Sequence, residues 1–392
     1  MSKRIAIIIE RADITLGGAE RSVFEMASAL SSLGLKVDIL AAKGQTNAKH
    51  IHILCGDKPG RRASYSVFEA ALKKHLAENH YDIIHSVLPF DFADIYQPRG
   101  GSFTEAILRN AASYQNKFIE SYKRMTAFTN FRRGVFLRAE KRLCKNPDGP
   151  TIAALSGYVG DQFKKHYNCD EKRIVIIPNG VRTHKTVDAN QADKLRGQIL
   201  IRLGITEAQG PVFFLFVANN FRLKGLAVLI KAMQLAKKHH GGNARLIVAG
   251  RDKSYKYRLM ARRFNVHKQI VFLGPVRHIQ NALSISDVAV LPTFYDPASR
   301  YILEALSAEK PVITTKFNGA TDLFVDNIHG KVIDSPEDIP ALAEAIKYFT
   351  NTDNIQKASA AITADNLKEK ISINRVAEQL NSLYESILEK RR

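Results

Sequence analysis

Short apolar runs rich in isoleucine and valine, each followed by a stretch with helical spacing, recur along nearly the whole chain. They fall at 4–10, 37–42, 51–54, 82–87, 151–156 and 173–181, and again at 212–218, 245–250, 270–274, 288–291 and 312–315. Apolar runs of this length suit strands buried on both faces, and strand–helix alternation is what a parallel sheet demands, because every parallel strand needs a crossover. The alternation lapses once, over the polar, helical residues 182–210. A chain of 392 residues also exceeds what one core usually serves. The expected fold class is therefore α/β, with two doubly wound Rossmann-like domains, 1–181 and 182–373.

The richest stretch is 286–325. The strand Val288 to Leu291 ends at Pro292, a loop carries Asp296 and Pro297, and a helix follows with Ile302, Ala305 and Leu306 facing inward. A strand–loop–helix of this kind aims unpaired backbone N–H groups, here near Ser299, Arg300 and Tyr301, at whatever binds the sheet edge. With the helix dipole they form a phosphate site. Glu304, one turn into the helix, could accept hydrogen bonds from a ribose diol, or it could form an ordinary i,i+4 surface pair with Arg300. Arg222 and Lys224 follow the strand 212–218 and so share that edge, with Gly225 permitting a close turn.

In the first half, Gly17-Gly18 sits at the first strand–helix turn, where it permits close approach of a ligand or makes a plain tight turn. It lacks the dinucleotide fingerprint, and no acidic residue ends the second strand, so a hydride-transfer enzyme is disfavoured. His85 ends its strand on the ligand edge, with a structural role as the alternative, and 88–104 reads as a Gly/Pro-punctuated loop. Residues 105–146 read as helical, broken near Thr126–Asn130 and at Gly134. From 105 to 145 ten Lys/Arg stand against three Glu, interleaved with Tyr114, Phe118, Tyr122, Phe128, Phe131 and Phe136. Such a segment suits an anionic membrane surface, with Arg132, Arg133 and Arg138 facing it, unless the aromatics are core.

The net charge of +20 implies an anionic partner: nucleic acid, acidic lipid or a phosphorylated substrate. No zinc-finger spacing or RNP-like aromatic strand supports sequence-specific nucleic-acid binding, which stays as the alternative from a different class. No run approaches the roughly 18 apolar residues of a membrane span, and the start, MSKR before a short strand and Glu10, is unlike a secretory signal. Three scattered cysteines, Cys55, Cys144 and Cys169, fit a reducing cytosol and argue against a disulfide framework or a zinc site.

Several motifs occur together. Tyr158-Val159, Phe163 and Tyr167 precede RIVIIPNGV, and a strand runs into FRLKG. LIVAG, VFLG and D-P-x5-LEAL-x4-PVITT follow in that order. This set resembles the family-4 retaining glycosyltransferases of the GT-B fold, and within them the bacterial lipopolysaccharide-core glucosyltransferase group. The resemblance implies that Arg222 and Lys224 hold the donor diphosphate and that Asp296, where relatives usually carry Glu, meets the donor sugar. Glu304 would then hold the ribose, and the amides of Ser299, Arg300 and Tyr301 the distal phosphate. It places the nucleobase near Leu273, Gly274 and Val276, sets Gly17 and Gly18 beside donor and acceptor, and has a last helix, 374–392, cross back to the first domain. Arg99 stands where many relatives have His, and with His85 it would lie on the acceptor side.

The implied activity is a retaining, metal-independent hexosyltransferase with no cofactor beyond a nucleotide-diphosphate sugar, a UDP-sugar by expectation. Its acceptor would be a lipid-linked saccharide of lipopolysaccharide core or another envelope glycan, reached as a cytoplasmic enzyme peripheral on the inner face of the inner membrane. A soluble acceptor is the enzymatic alternative.

Overall fold

The computed structural model describes residues 2–13, 17–56, 62–184, 186–240, 243–276 and 278–391. The chain divides into two units, one formed by 1–111, 115–182 and 372–392, the other by 112–114 and 183–371.

The first unit runs β1 (Arg4–Ala12), α1 (Gly18–Ser32), β2 (Lys36–Gly44), β3 (Ile51–Ile53), α2 (Tyr65–Glu78), β4 (Ile83–Ser86) and β5 (Ile95–Tyr96). It continues with α3 (Phe103–Ala112), α4 (Lys117–Met125), α5 (Phe131–Lys145), β6 (Thr151–Ala154), α6 (Gly157–Tyr167) and β7 (Ile174–Ile176). Its seven strands pair in parallel in the order β3-β2-β1-β4-β5-β6-β7. Ile5, Ile7 and Ile9 point to one face, Ala6 and Ile8 to the other, and both faces are buried. That two-sided burial is why β1 is apolar at every position from 5 to 9 instead of alternating.

The second unit runs α7 (Ala189–Leu203), β8 (Val212–Val217), α8 (Leu226–His240), β9 (Ala244–Ala249), α9 (Tyr255–Arg263), β10 (Ile270–Gly274), α10 (Ile279–Ser284) and β11 (Val288–Leu291). Then come α11 (Arg300–Ser307), β12 (Val312–Thr315), β13 (Gly330–Ile333), α12 (Ile339–Tyr348), α13 (Thr352–Ala364) and α14 (Leu367–Lys370). The sheet is again parallel, in the order β10-β9-β8-β11-β12-β13.

The last helix, α15 (Ile373–Lys390), belongs to the first unit. Ser372 caps it by accepting from Asn374 N–H at 3.2 Å, and Ile373 N–H donates to Val181 O at 3.0 Å. Ile373, Val376, Ala377, Leu380 and Tyr384 recur at helical spacing and enter the core with Ile5, Met26 and Leu30. Each large apolar side chain buried this way contributes about 1.5–3 kcal/mol.

Four expectations need correction. The break expected near Thr126–Asn130 is present as a 3-10 turn, Thr126–Thr129, but Gly134 does not interrupt α5, and a further break falls at 113–116, where Gln115 adopts φ 57°. The loop 88–104 contains the two-residue strand β5. A sixth strand, β13, joins the second sheet before the terminal helices. Asn318-Gly319, which reads from the sequence as a turn into another helix, leads only into a 3-10 turn, Gly319–Leu323. Helical spacing over 277–285 predicts the helix before β11, which runs Ile279–Ser284 as α10; Arg277 lies outside the described residues.

Candidate active site

In the second sheet the strand order runs outward from β8 through β9 and β10, and from β11 through β12 and β13. The direction of winding thus reverses between β8 and β11. The crevice beyond the C-terminal ends of two such strands is where open α/β sheets bind ligands. The loop after β8 turns sharply at Gly225, φ +83°, where a Cβ would come within 2.0 Å of Pro292 O. Only glycine lets the two loops approach this closely.

The close approach brings Lys224 and Asp296 together. Lys224 Nζ lies 2.6 Å from Asp296 Oδ2 and donates to Tyr295 O at 2.9 Å, with the side chains only 20% and 15% exposed. Asp296 is fixed by its backbone: its N–H donates to Phe317 O and its carbonyl accepts from Gly319 N–H, both at 2.9 Å. At the start of α11, Arg300 Nε lies 3.4 Å from Oε1 of Glu304, one turn further in. These residues are paired at i,i+4, yet they are not a surface pair, since the side chains are 10% and 7% exposed. Arg222 Cζ lies 3.8 Å over the Tyr114 ring, and its guanidinium donates to Ser113 Oγ; residues 112–114 belong to the same unit.

The start of α11 differs from expectation. Ser299 is its N-cap residue and its side chain makes no capping bond. Its N–H is already committed, donating to Asn318 Oδ1 at 3.1 Å. The Ser299 amide is therefore not available to a phosphate, contrary to expectation. The Tyr301 side chain is buried and donates to Leu215 O, so it anchors the helix to β8. Burial raises its phenol pKa well above the ordinary value. Asn318 was overlooked as a site residue. Fully buried, it also accepts from Ala320 N–H at 3.1 Å and donates to Thr314 Oγ1 at 2.9 Å, tying the Asp296 loop to β12. The signal was present, as an Asn just past a strand and before a Gly, but it reads equally as a plain turn. Leu273 and Gly274 end β10, where the Gly274 carbonyl accepts from Gly250 N–H at 2.8 Å, and Val276 follows two residues on.

In the first unit the winding reverses between β1 and β4. Gly17 caps α1 in extended backbone and Gly18 opens the helix. Nearby, Ser22 Oγ donates to Asn179 Oδ1 at 2.6 Å, and Arg99 donates to both from 3.2 Å. Arg99 thus binds the start of α1 to the loop after β7, a junction in which Ser22 and Asn179 were not foreseen. His85 is not an acceptor-side group. Its side chain is fully buried and Nδ1 lies 2.7 Å from Tyr384 Oη of α15. Burial, and then the charge of Arg99, lower its pKa to about 3, so it stays neutral and structural.

The basic segment also divides. Arg132 pairs with Glu10 at 2.5 Å, donates to Ala63 O and lies over Phe136, which is core. It does not face outward, whereas Arg133 and Arg138 are exposed. On α4 and just after it, Phe118, Tyr122, Met125 and Phe131 are 89%, 62%, 74% and 79% exposed. Among the described residues no helix is long and apolar enough to cross a membrane, and no three His, Cys, Asp or Glu lie together as a metal-ion group.

The profile of the Glycosyltransferase Family 4 matches residues 16–185, and that of the Glycosyl transferases group 1 matches residues 201–366. Among curated relatives, the lipopolysaccharide glucosyltransferase WaaG of Escherichia coli K12 is 22% identical over 337 residues, 84% of this chain and 85% of its own length. The crystal structure of WaaG superposes with a TM-score of 0.67 at 20% identity, covering 99% of this chain and 98% of that one. Anabaena Alr3699/HepE, solved with UDP-glucose, gives 0.66 at 16% identity over 98% and 99% of the two chains. The solved structures are similar in fold.

Proposed function

Because the chain belongs to the group 1 and family 4 glycosyltransferases of the GT-B fold, we propose that it moves a hexose, with retention, from a UDP-sugar to a hydroxyl of a lipid-linked envelope saccharide. The observation that carries this reading is the Lys224–Asp296 contact at the reversal of winding, with Arg222 in the same loop and buried Arg300 and Glu304 beside it. Cleaving the sugar–diphosphate bond leaves negative charge on the departing oxygen and oxocarbenium character on the sugar. Lys224 and Arg222 neutralise the first, as preorganised donors do, so the reaction proceeds without a metal. The amides of Arg300 and Tyr301 take the distal phosphate and Glu304 the ribose. Asp296, released from Lys224 as the ammonium turns to the diphosphate, meets the sugar hydroxyls. The acceptor hydroxyl attacks from the face the diphosphate leaves, passing its proton to a departing phosphate oxygen.

WaaG is, by name, a lipopolysaccharide glucosyltransferase, and Alr3699/HepE was solved with UDP-glucose, which supports the donor and acceptor classes. The four outward-facing apolar side chains on and after α4, among exposed Lys117, Lys123, Arg124 and Arg133, support docking on an anionic bilayer. Turnover of UDP-glucose with a lipopolysaccharide-core acceptor, followed by NMR of the product anomer, tests the reading. An α-linked product formed in the presence of EDTA is expected. A β-linked product, or turnover abolished by EDTA, removes the proposed mechanism. Phe118→Ser/Phe131→Ser should lower binding to phosphatidylglycerol vesicles several-fold, and undiminished co-sedimentation would remove the membrane role.

A further inference from the structure

A cleft of about 630 Å³ opens at the β13 edge of the second sheet, between the turn before β13, the end of α12 and the start of α13. It shares no residue with the Lys224–Asp296 site. Its size falls within the ~300–1,000 Å³ of small-ligand pockets.

The lining is ordered. Asn327, in the left-handed region at φ 63°, donates to Asp326 Oδ2 at 2.8 Å and accepts from Lys331 Nζ at 2.6 Å. Asp326 Oδ1 takes Val332 N–H at 2.8 Å. Lys331 Nζ sits 4.0 Å over the Tyr348 ring, which stands edge-on to buried Phe349 and is 36% exposed. Across the cleft, Asn354 donates to Tyr348 O at 2.8 Å. Ordering these groups on binding costs little, because they already hold one another.

The chemistry selects the ligand. Lys331 and Lys347 balance Asp326 and Glu344, so nothing favours a phosphate, a nucleotide or a polycation. What remains is an aromatic ring, apolar wall from Val332 and Ala341, and amide and carboxylate groups at the rim. Sugars present that same mixture, apolar C–H faces ringed by hydroxyls that both donate and accept. We propose that this cleft is a second saccharide-binding site, which takes a short, uncharged oligosaccharide with a sugar face against Tyr348. The ligand class follows from the lining alone. Its role, holding the acceptor glycan while the other site transfers to it, rests on the transferase reading above.

The test is saturation-transfer NMR and calorimetry on the full chain with maltotetraose and with chitotetraose. Binding of at least one, undisturbed by saturating UDP, is expected. Tyr348→Ala should weaken it about tenfold or more, as loss of an aromatic anchor does, while Tyr348→Phe keeps it. Ala341→Phe, which fills the cleft from α12, should give the same loss. The UDP-induced thermal shift, unchanged in all three variants, reports both an intact fold and an independent donor site. Absence of binding by both probes, displacement by UDP, or equal affinity in Tyr348→Ala and Ala341→Phe overturns the proposal. Capture of an extended peptide along β13 in place of either sugar does so too. A protein that binds a probe here yet fails to transfer from any UDP-sugar would sink the transferase reading and leave the cleft standing.

Discussion

Lys224→Met separates the two jobs proposed for the ammonium, holding Asp296 and neutralising the departing diphosphate. Its partner Asp296 is 15% exposed, so removing the ammonium leaves a largely desolvated carboxylate opposite nothing. Breaking a fully buried pair from one side costs about 3–5 kcal/mol, and the residual exposure here brings the expectation to ~2 kcal/mol. For a domain the size of the second unit this corresponds to a fall in Tm of about 4–8 °C. Turnover should fall further, by about 10²–10³ in kcat, the loss seen when one preorganised donor to a developing anion is removed. Lys224→Met/Asp296→Asn distinguishes the two effects. It abolishes the stranded charge and should regain most of the lost Tm, yet turnover should stay as low as in the single variant. Thermal melts and a UDP-release assay on the same preparations read both quantities. If turnover returns with Tm in the double variant, Lys224 holds the loop and takes no part in the chemistry. If the single variant keeps both, the argument from the contact is wrong.

Three other perturbations test different parts of the structure. Gly225→Ala forces a Cβ onto Pro292 O at φ +83° and should cost about 3 kcal/mol or more in a melt, with the UDP thermal shift lost. Gly197→Ala, in α7 with open space around it, should instead stabilise by up to ~1 kcal/mol. Glu140 in α5 accepts from Tyr96, Tyr167 and the Phe103 amide, and burial raises its pKa from 4.5 to about 7. A raised carboxyl supports the fold while protonated. Its contribution is whole below 4.5 and lost as pH rises through about 7, a slope that Glu140→Gln should flatten in urea titrations across that window.

What could be read from the sequence depended on how local the cause was. The strands buried on both faces declared themselves, because β1 is apolar throughout 5–9 and β8 at every position. Strand β13, GKVI, is a four-residue edge strand with a lysine, and β5 has two residues, too few for a period. A second helix break was sought at Gly134, but an interior glycine costs only ~1 kcal/mol and α5 absorbs it. The break near Thr126–Asn130 was legible and is there, whereas the one at Gln115 was not, because its positive φ has no signature in composition. Within the site, Arg222, Lys224, Asp296 and Glu304 could be placed from their offsets after strands, since a parallel sheet puts all such loops on one edge. That Asn318 takes the Ser299 amide, or that Tyr384 takes His85, depends on residues 19 and 299 positions apart meeting in space. No local pattern reports such a meeting.

The placement of α15 bears on how the chain is made. Its residues complete the core around Ile5, Met26 and Leu30, yet the whole second unit is translated before them. While the ribosome works through 183–371, the first 182 residues wait with one wall of their interior unfilled, and the exit of residues 372–392 closes it. A nascent-chain arrest series should therefore show the second unit resisting protease before the first, reversing the order of synthesis.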